Sequence, residues 1–236
     1  MCSKGSSPDA CASTPCREDM RAGLPASRLL RRLEEASGRA CRGGTLPVLA
    51  FSGGLSSTLL AALLRKRGEL RCIVAGLDGA ADLEAARLTE TYLDYRVERI
   101  RLTPRTSLSI ARDLGRRAAR LSPRAVLDLV PIAAVLERTK APRVIVGAGH
   151  EGTRVALEAI QEPRRLRFPI PVASGDRTPS RRDLQACADL LGIPETFSRA
   201  RRRPPARGSG VREGLETVAA DEGVPLARLV HSRDYH

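Results

Sequence analysis

Two glycines set among hydroxyl side chains make residues 52–58 the segment best suited to bind an anion. The segment reads Ser-Gly-Gly-Leu-Ser-Ser-Thr and lies between an apolar run at 46–51 and a helical pattern at 55–67. Glycines let the backbone approach a ligand, and a helix N-terminus offers unpaired amides at its positive dipole end. The segment has no lysine, so it differs from the GxxxxGK[ST] loop, and it does not match GxGxxG. We therefore predict a phosphate-binding loop of another type.

Two further glycine-containing segments also follow predicted strands. Residues 76–86 read Gly-Leu-Asp-Gly-Ala-Ala-Asp-Leu-Glu-Ala-Ala and come after a strand predicted at 71–75. Residues 147–152 read Gly-Ala-Gly-His-Glu-Gly and come after a strand predicted at 143–146. Ligands of parallel α/β sheets bind beyond the carboxyl ends of the strands. The three segments are therefore expected to meet at one nucleotide site.

Together these segments resemble the synthetase domain of asparagine synthetases, within the ATP pyrophosphatase (PP-loop, adenine nucleotide alpha hydrolase-like) superfamily. Residues 52–57 resemble its SGGxDS loop, residues 76–86 its GLxGSxDLxxA stretch and residues 147–152 its GxGADE turn. Residues 202–211 resemble a basic, YGSG-containing segment of short members. The resemblance covers roughly residues 46–220, and a glutamine amidotransferase domain is expected to be lacking.

The resemblance implies an ATP-dependent ligase that activates a small-molecule carboxylate as an acyl-adenylate, releases pyrophosphate and then forms an amide. Free ammonia or a separate amidotransferase subunit would supply the nitrogen. Arg202 and Arg203 are the implied catalytic cations, because arginine makes forked contacts with phosphate oxygens, although a solvated charge run is the alternative. The implied nucleotide-binding residues are Phe51, Ser52, Gly53, Gly54, Ser56, Ser57, Ala75, Gly76, Val146 and Gly147.

The sequence departs from the family pattern at its acidic positions. The loop aspartate of the family, a magnesium ligand, is replaced by Ser56, and the acidic pair of the turn is reduced to Glu151 followed by Gly152. Mg²⁺ prefers carboxylate, water and phosphate oxygens. The implied cofactors are ATP and Mg²⁺, with Glu151 and Asp82 as the remaining candidate metal ligands and Glu151 also a candidate catalytic residue.

Two other functions stay open. A tRNA-modifying ATPase of the same superfamily would explain the net charge of +13, although the sequence has no CxxC pair. A degenerate, non-catalytic ATP-binding protein would explain Ser56 and Gly152. The charge itself is almost all arginine, which is also typical of a bias in genome base composition. A tRNA partner is therefore the less favoured alternative to a small-molecule substrate.

The elements that would position these residues alternate along the chain. Short apolar runs predict strands at 46–51 and 143–146, and two further strands are predicted at 71–75 and 96–102. Helical patterns separate them, and Asp82 is expected to cap a helix that runs to about Leu93. This alternation of strands and helices predicts an α/β fold of the PP-loop type, with a doubly wound and mainly parallel sheet and helices on both of its faces. Further helices are predicted at 27–36, 107–121, 180–191 and 211–220 and after Ser122-Pro123.

Composition suggests the boundaries of the ordered domain. Residues 1–25 are rich in Ser, Pro and Cys and are expected to be a flexible tail. A helical lead-in is predicted at 26–44, the ATP-binding domain at 45–225 and a C-terminal tail at 226–236. Without an apolar signal core near the N-terminus or an apolar stretch of membrane-spanning length, the sequence predicts a cytoplasmic protein that does not enter a membrane.

Overall fold

The structure is a computed structural model that describes residues 25–42, 46–93, 96–147, 165–174, 179–199 and 203–231. The predictions for Glu151 and Arg202 lie outside the described residues. The same holds for residues 1–24 of the tail predicted at 1–25 and for residues 232–236 of the tail predicted at 226–236. Within the part of the chain that is described, no helix is long and apolar enough to cross a membrane.

A five-stranded, all-parallel sheet forms the centre of the molecule. The strands follow the order β3-β2-β1-β4-β5, and every neighbouring pair is parallel. This confirms the predicted fold class. The strands are β1 (Val48–Ala50), β2 (Arg71–Leu77), β3 (Val97–Leu102), β4 (Val144–Val146) and β5 (Leu166–Arg167).

Helices cover both faces of this sheet. They are α1 (Ala26–Cys41), α2 (Leu55–Arg65), α3 (Ala81–Leu93), α4 (Pro104–Arg117), α5 (Pro123–Arg138), α6 (Pro169–Ser174), α7 (Arg181–Leu190), α8 (Glu195–Ser198), α9 (Pro205–Gly208), α10 (Val211–Asp221) and α11 (Leu226–His231). Apolar side chains of α4, α5, α10 and α11 form one core cluster, and those of α1, α2, α3 and α7 form the other.

Alternation along the strands produces these two cores. Val48 and Val144 pack in the first cluster, whereas Leu49 and Ile145, the next residues in the chain, pack in the second. Successive strand residues point to opposite faces, so a strand between two helix layers needs apolar residues at every position. The short, uninterrupted apolar runs of the sequence are therefore the signal of the central strands β2, β1 and β4.

Helix caps explain where two of the helices begin. The Thr103 side chain accepts a hydrogen bond from the backbone amide of Thr106, and the Thr106 hydroxyl accepts one from the backbone amide of Thr103. The predicted cap at Ser122 is confirmed, since its hydroxyl accepts from the amide of Ala125 and Pro123 stands at the first helical position. These caps fix the start of α4 and α5.

The structure corrects two predictions about helices. Asp82 does not precede α3 but lies in its first turn, because the helix already begins at Ala81. The expected C-terminal tail contains α11, whose Leu229 and Val230 are each 1% exposed. Gly115 of α4 makes room for this helix, since a Cβ there would stand 2.7 Å from the Val230 carbonyl oxygen.

Candidate functional site

The turn after β1 requires a glycine at its second position for two reasons. Gly53 has φ +67°, in the left-handed region, and a Cβ built on it would stand 2.3 Å from the Cβ of Ala85. The first reason is backbone conformation and the second is the close approach of α3. Local sequence and a distant helix thus fix the same turn.

Hydroxyl groups hold the turn against the start of α2. The Ser57 hydroxyl donates to the Gly54 carbonyl oxygen at 2.9 Å and accepts from the Ser52 amide at 3.3 Å. Gly54 precedes the helix, and no side chain caps it. The amides of the first helical turn therefore have no intrahelical acceptor and are available to an anion.

The end of β4 packs directly on this helix start. A Cβ on Gly147 would stand 3.0 Å from the backbone nitrogen of Ser57, so only a glycine fits without displacement. Val146, Ala75 and Ala50 bring three strand ends to the same place, and all of them line one cavity. The predicted meeting of the three strand ends is therefore present in the geometry.

Gly76 is the one predicted nucleotide-binding residue among those described that does not line the cavity. It instead contacts the segment of residues 203–210, which we call the strap. A Cβ on Gly76 would stand 3.0 Å from the Ser209 carbonyl oxygen, and that oxygen accepts a hydrogen bond from the Leu77 amide at 2.8 Å. Its small size serves packing of the strap on β2.

The cavity at the carboxyl edge of the sheet has a volume of about 400 Å³. This lies within the ~300–1,000 Å³ usual for small-molecule sites. Of the predicted residues, the cavity is lined by Phe51, Ser52, Gly53, Gly54, Ser56, Ser57, Ala75, Val146, Gly147, Asp82 and Arg203.

Sequence reasoning missed two walls of the cavity. Pro131, Ile132 and Val135 of α5 form an apolar wall, and Arg181 and Leu184 form another at the start of α7. In the sequence, the α5 residues are part of a helical apolar pattern that also fits a core position. Their place beside the loop follows only from how α5 packs on β2.

Asp82 is the one acidic residue among the described residues that line the cavity. Its carboxylate lies against Gly208, where a Cβ would stand 2.3 Å from Oδ1. Burial raises its pKa to about 7, and the nearby positive charge of Arg203 opposes that rise. Burial thus favours the neutral form of the Asp82 carboxyl group over its charged form.

Arg203 stands at the first residue of the strap with an exposed side chain and lines the cavity. Its predicted neighbours in function, Arg202 and Glu151, lie outside the described residues. The arrangement brings a cation on the strap to the same space as the amides of the loop. Such a space suits a ligand with several negative charges, because helix amides and guanidinium groups both favour anions.

The described residues fit a nucleotide better than they fit a resident metal. The loop and Arg203 offer phosphate contacts, and the apolar wall offers a surface for a base. No group of three or more His, Cys, Asp or Glu that could hold a metal occurs among the described residues. Asp82 is thus the sole carboxylate of the described cavity, so the Mg²⁺ site predicted from Glu151 and Asp82 stays a prediction.

Comparisons with known proteins find similarity of fold. No protein-family model matches the chain, and no curated protein matches it. The structure of NMN synthetase from Francisella tularensis superposes with a TM-score of 0.51 at 14% identity, covering 90% of this chain and 95% of that chain. NH3-dependent NAD synthetase from Campylobacter jejuni gives a TM-score of 0.50 at 15% identity, covering 90% of each chain. The chain therefore shares the fold of these synthetases.

Proposed function

We propose that this protein is an ATP-dependent adenylating ligase. The observation that carries the proposal is the cavity in which the uncapped start of α2, three strand ends and Arg203 meet. Two proteins of the same fold are named as synthetases, and one of them is named as NH3-dependent, which supports amide formation with ammonia. Resemblance of the sequence motifs to asparagine synthetases supports a carboxylate substrate.

The proposed reaction has two steps. A carboxylate oxygen of the substrate attacks the α-phosphorus of ATP, the bond to the β-phosphate oxygen breaks, and pyrophosphate leaves. An amine nitrogen then attacks the acyl carbon, AMP leaves with the bridging oxygen, and the amine loses a proton. The first step increases negative charge on the leaving group, and positioned cations and amides would stabilise it.

Each part of the cavity has a role in this proposal. The first-turn amides of α2, with the hydroxyl groups of Ser56 and Ser57, would hold phosphate oxygens. Arg203, with Arg202, would neutralise pyrophosphate as it leaves. The apolar wall of Ile132 and Val135 would contact the adenine base. Mg²⁺ would arrive with ATP, and Asp82 and Glu151 are its proposed protein ligands.

ATP–pyrophosphate exchange tests the proposal directly. The protein is incubated with ATP, labelled pyrophosphate and single carboxylates, including amino acids, and label incorporation into ATP is measured. We expect exchange with one carboxylate class and none without a carboxylate. Absence of exchange with every carboxylate and with tRNA, while ATP still binds, would contradict adenylation.

A degenerate, non-catalytic ATP-binding protein is the second candidate. The observation that favours it is the single described carboxylate in the cavity, together with Ser56 at the loop position that is acidic in the resembled family. The two candidates agree on ATP binding and differ in turnover.

Replacing Ser56 by Asp separates the two candidates. If the remaining groups are competent, Ser56→Asp increases Mg²⁺-dependent pyrophosphate release, because a metal between phosphates prefers an anionic oxygen to a hydroxyl. Ser56→Asn is the control of similar size without the charge. No gain in release with retained ATP binding would favour the binding protein, and loss of ATP binding would mean that the Ser56 hydroxyl itself serves the phosphates.

A further inference from the structure

The strap contains the helical turn α9, and the backbone amides at the start of this turn cannot all find a hydrogen-bond acceptor within it. Its helical turn α9 begins at Pro205, and the preceding residue, Pro204, offers no side-chain cap. Arg207 and Gly208 donate their amide hydrogens to the Pro204 carbonyl oxygen at 3.0 and 2.9 Å. The amide of Ala206 has no such acceptor within the turn, and Ala206 is only 3% exposed. A buried amide of this kind needs a partner.

Asp128 supplies that partner from α5. Its Oδ1 accepts the hydrogen bond of the Ala206 amide at 2.9 Å, across 78 positions of the sequence. A carboxylate is a suitable cap, because its charge also complements the positive end of a helical turn. Asp128 does not line the cavity and is half-buried.

The other end of the strap is fixed independently. The Ser209 carbonyl oxygen accepts from the Leu77 amide at 2.8 Å, and the Ser209 hydroxyl donates to the Pro205 carbonyl oxygen at 2.7 Å. Ser209 is 0% exposed, so this end is held within the core. Loss of the Asp128 contact would therefore release chiefly the end that carries Arg203.

We propose that Asp128 is a positioning residue that holds Arg203 over the cavity by capping the strap at Ala206. The inference rests on the proposed function, because it assigns Arg203 a task in the departure of pyrophosphate. Asp128 does not line the cavity and acts through the strap. Its contribution is to the placement of the cation, whereas nucleotide binding depends mainly on the loop before α2.

The first test measures the cap without any activity. Amide hydrogen exchange at Ala206 is followed by NMR in the full chain without ligand. We expect Asp128→Ala to speed exchange by about tenfold or more and Asp128→Asn, which keeps an acceptor oxygen, to stay close to wild type. Asp113→Ala is the matched control, because it removes a helical aspartate whose ion pairs, with Arg116 and Arg117, lie within α4. Unchanged exchange in Asp128→Ala would overturn the proposal.

The second test uses a double-mutant cycle on pyrophosphate exchange. Asp128→Ala should lower the rate of pyrophosphate exchange about 10- to 100-fold with little change in ATP affinity. Asp128→Asn should keep most of the wild-type rate of pyrophosphate exchange. In an Arg203→Ala background, Asp128→Ala should add little, because both changes remove the same placed cation. If the two substitutions instead reduce the rate of pyrophosphate exchange by independent factors that multiply in the double variant, the proposal is overturned. Asp128 would then act on stability or on another group.

The two tests separate this proposal from the proposed function. If the wild type shows no pyrophosphate exchange with any substrate, the proposed function fails, and the exchange of the Ala206 amide still decides whether Asp128 caps the strap. If Asp128→Ala does not fold, Asp128→Glu moves the acceptor by one methylene group. That variant should raise the exchange rate of the Ala206 amide, and an unchanged rate would count against the cap.

Discussion

The two segments that bring polar groups to the cavity are built in different ways. The side-chain hydrogen bonds of the loop at residues 52–57 are local, since the Ser57 hydroxyl bonds to Ser52 and Gly54 within six residues of chain, while Ala85 of α3 packs against Gly53. The strap depends on partners far away in sequence, Asp128 and Leu77. Local hydrogen bonds shape the loop that presents the backbone amides, whereas long-range hydrogen bonds hold the strap that carries Arg203.

This difference predicts how each segment responds to substitution. Changes in the loop should affect nucleotide binding through the backbone of a few adjacent residues. Changes in the strap should affect the placement of one side chain while the loop and the sheet stay intact. Binding and turnover should therefore be separable by mutation in this protein. Gly53→Ala and Arg203→Ala test that expectation, and Gly208→Ala and Asp82→Asn test how the strap is held.

The largest effect is expected at Gly53. Gly53→Ala combines an unfavourable positive φ with a contact of 2.3 Å to the Ala85 Cβ, so the loop must move. We expect about a 30-fold or greater loss of ATP affinity by calorimetry, since left-handed strain costs about 1–2 kcal/mol and overpacking about 1–3 kcal/mol. Gly192→Ala is the matched control, with φ +70° and open space around the Cβ. Equal losses in both variants would mean that backbone strain alone explains the result.

The next effect is expected at Arg203. Arg203→Ala should reduce pyrophosphate exchange by about 100-fold, because it removes a cation that would neutralise the leaving group. ATP affinity should change by less than about tenfold, since the loop amides remain in place. Arg207→Ala is the control on the same strap, because Arg207 is exposed and does not line the cavity. A larger effect of Arg207→Ala would reverse the assignment of the two arginines.

The contrast between the loop and the strap also explains which parts of the site can be predicted from the sequence. The loop could be found because its glycines, hydroxyl groups and flanking elements are adjacent in the chain. The parallel sheet could be found because strands buried on both faces appear as uninterrupted apolar runs. Both depend on short-range pattern, which a single sequence contains.

The rest depends on packing that no short pattern encodes. Gly76 follows a predicted strand just as Gly147 does, yet it faces Ser209 and not the cavity. Asp128 lies within an apolar helical pattern, and nothing near it in sequence marks it as the cap of a turn 78 positions away. The apolar residues of α5 that line the cavity have the composition of a core helix, so only their position relative to the loop distinguishes them.

A smaller effect is expected at Gly208, where the strap meets α3. A Cβ there would stand 2.3 Å from Oδ1 of Asp82, so Gly208→Ala must displace the carboxylate or the strap. We expect a loss of about 1–3 kcal/mol in the free energy of unfolding by urea denaturation. In an Asp82→Ala background the loss should largely disappear, because the displaced group is gone. A loss of the same size in both backgrounds would place the conflict elsewhere.

The smallest effect is expected from the charge of Asp82, and it sharpens the contrast because it bears on the strap and leaves the loop unchanged. Burial raises the pKa of this carboxyl group from 3.8 to about 7, so the folded protein holds its proton more tightly than the unfolded chain does. The Asp82 carboxyl group therefore lowers the stability of the folded protein progressively as pH rises from about 4 to about 7, and the loss is complete above that range.

Asp82→Asn removes the ionisation, so the variant should match wild type near pH 4. At pH 8 it should be more stable by about 1–2 kcal/mol, less than the full shift implies because the group is partly exposed. Denaturation curves at the two pH values measure the difference, and Asp189→Asn, at an exposed aspartate of α7, is the control for the same change of side chain. If Asp82→Asn is instead less stable than wild type at pH 8, the carboxylate is charged and paired in the folded protein, with Arg203 as its nearest cation. The strap would then be held at a second point near the cavity, and ATP would have to compete with Asp82 for the arginine.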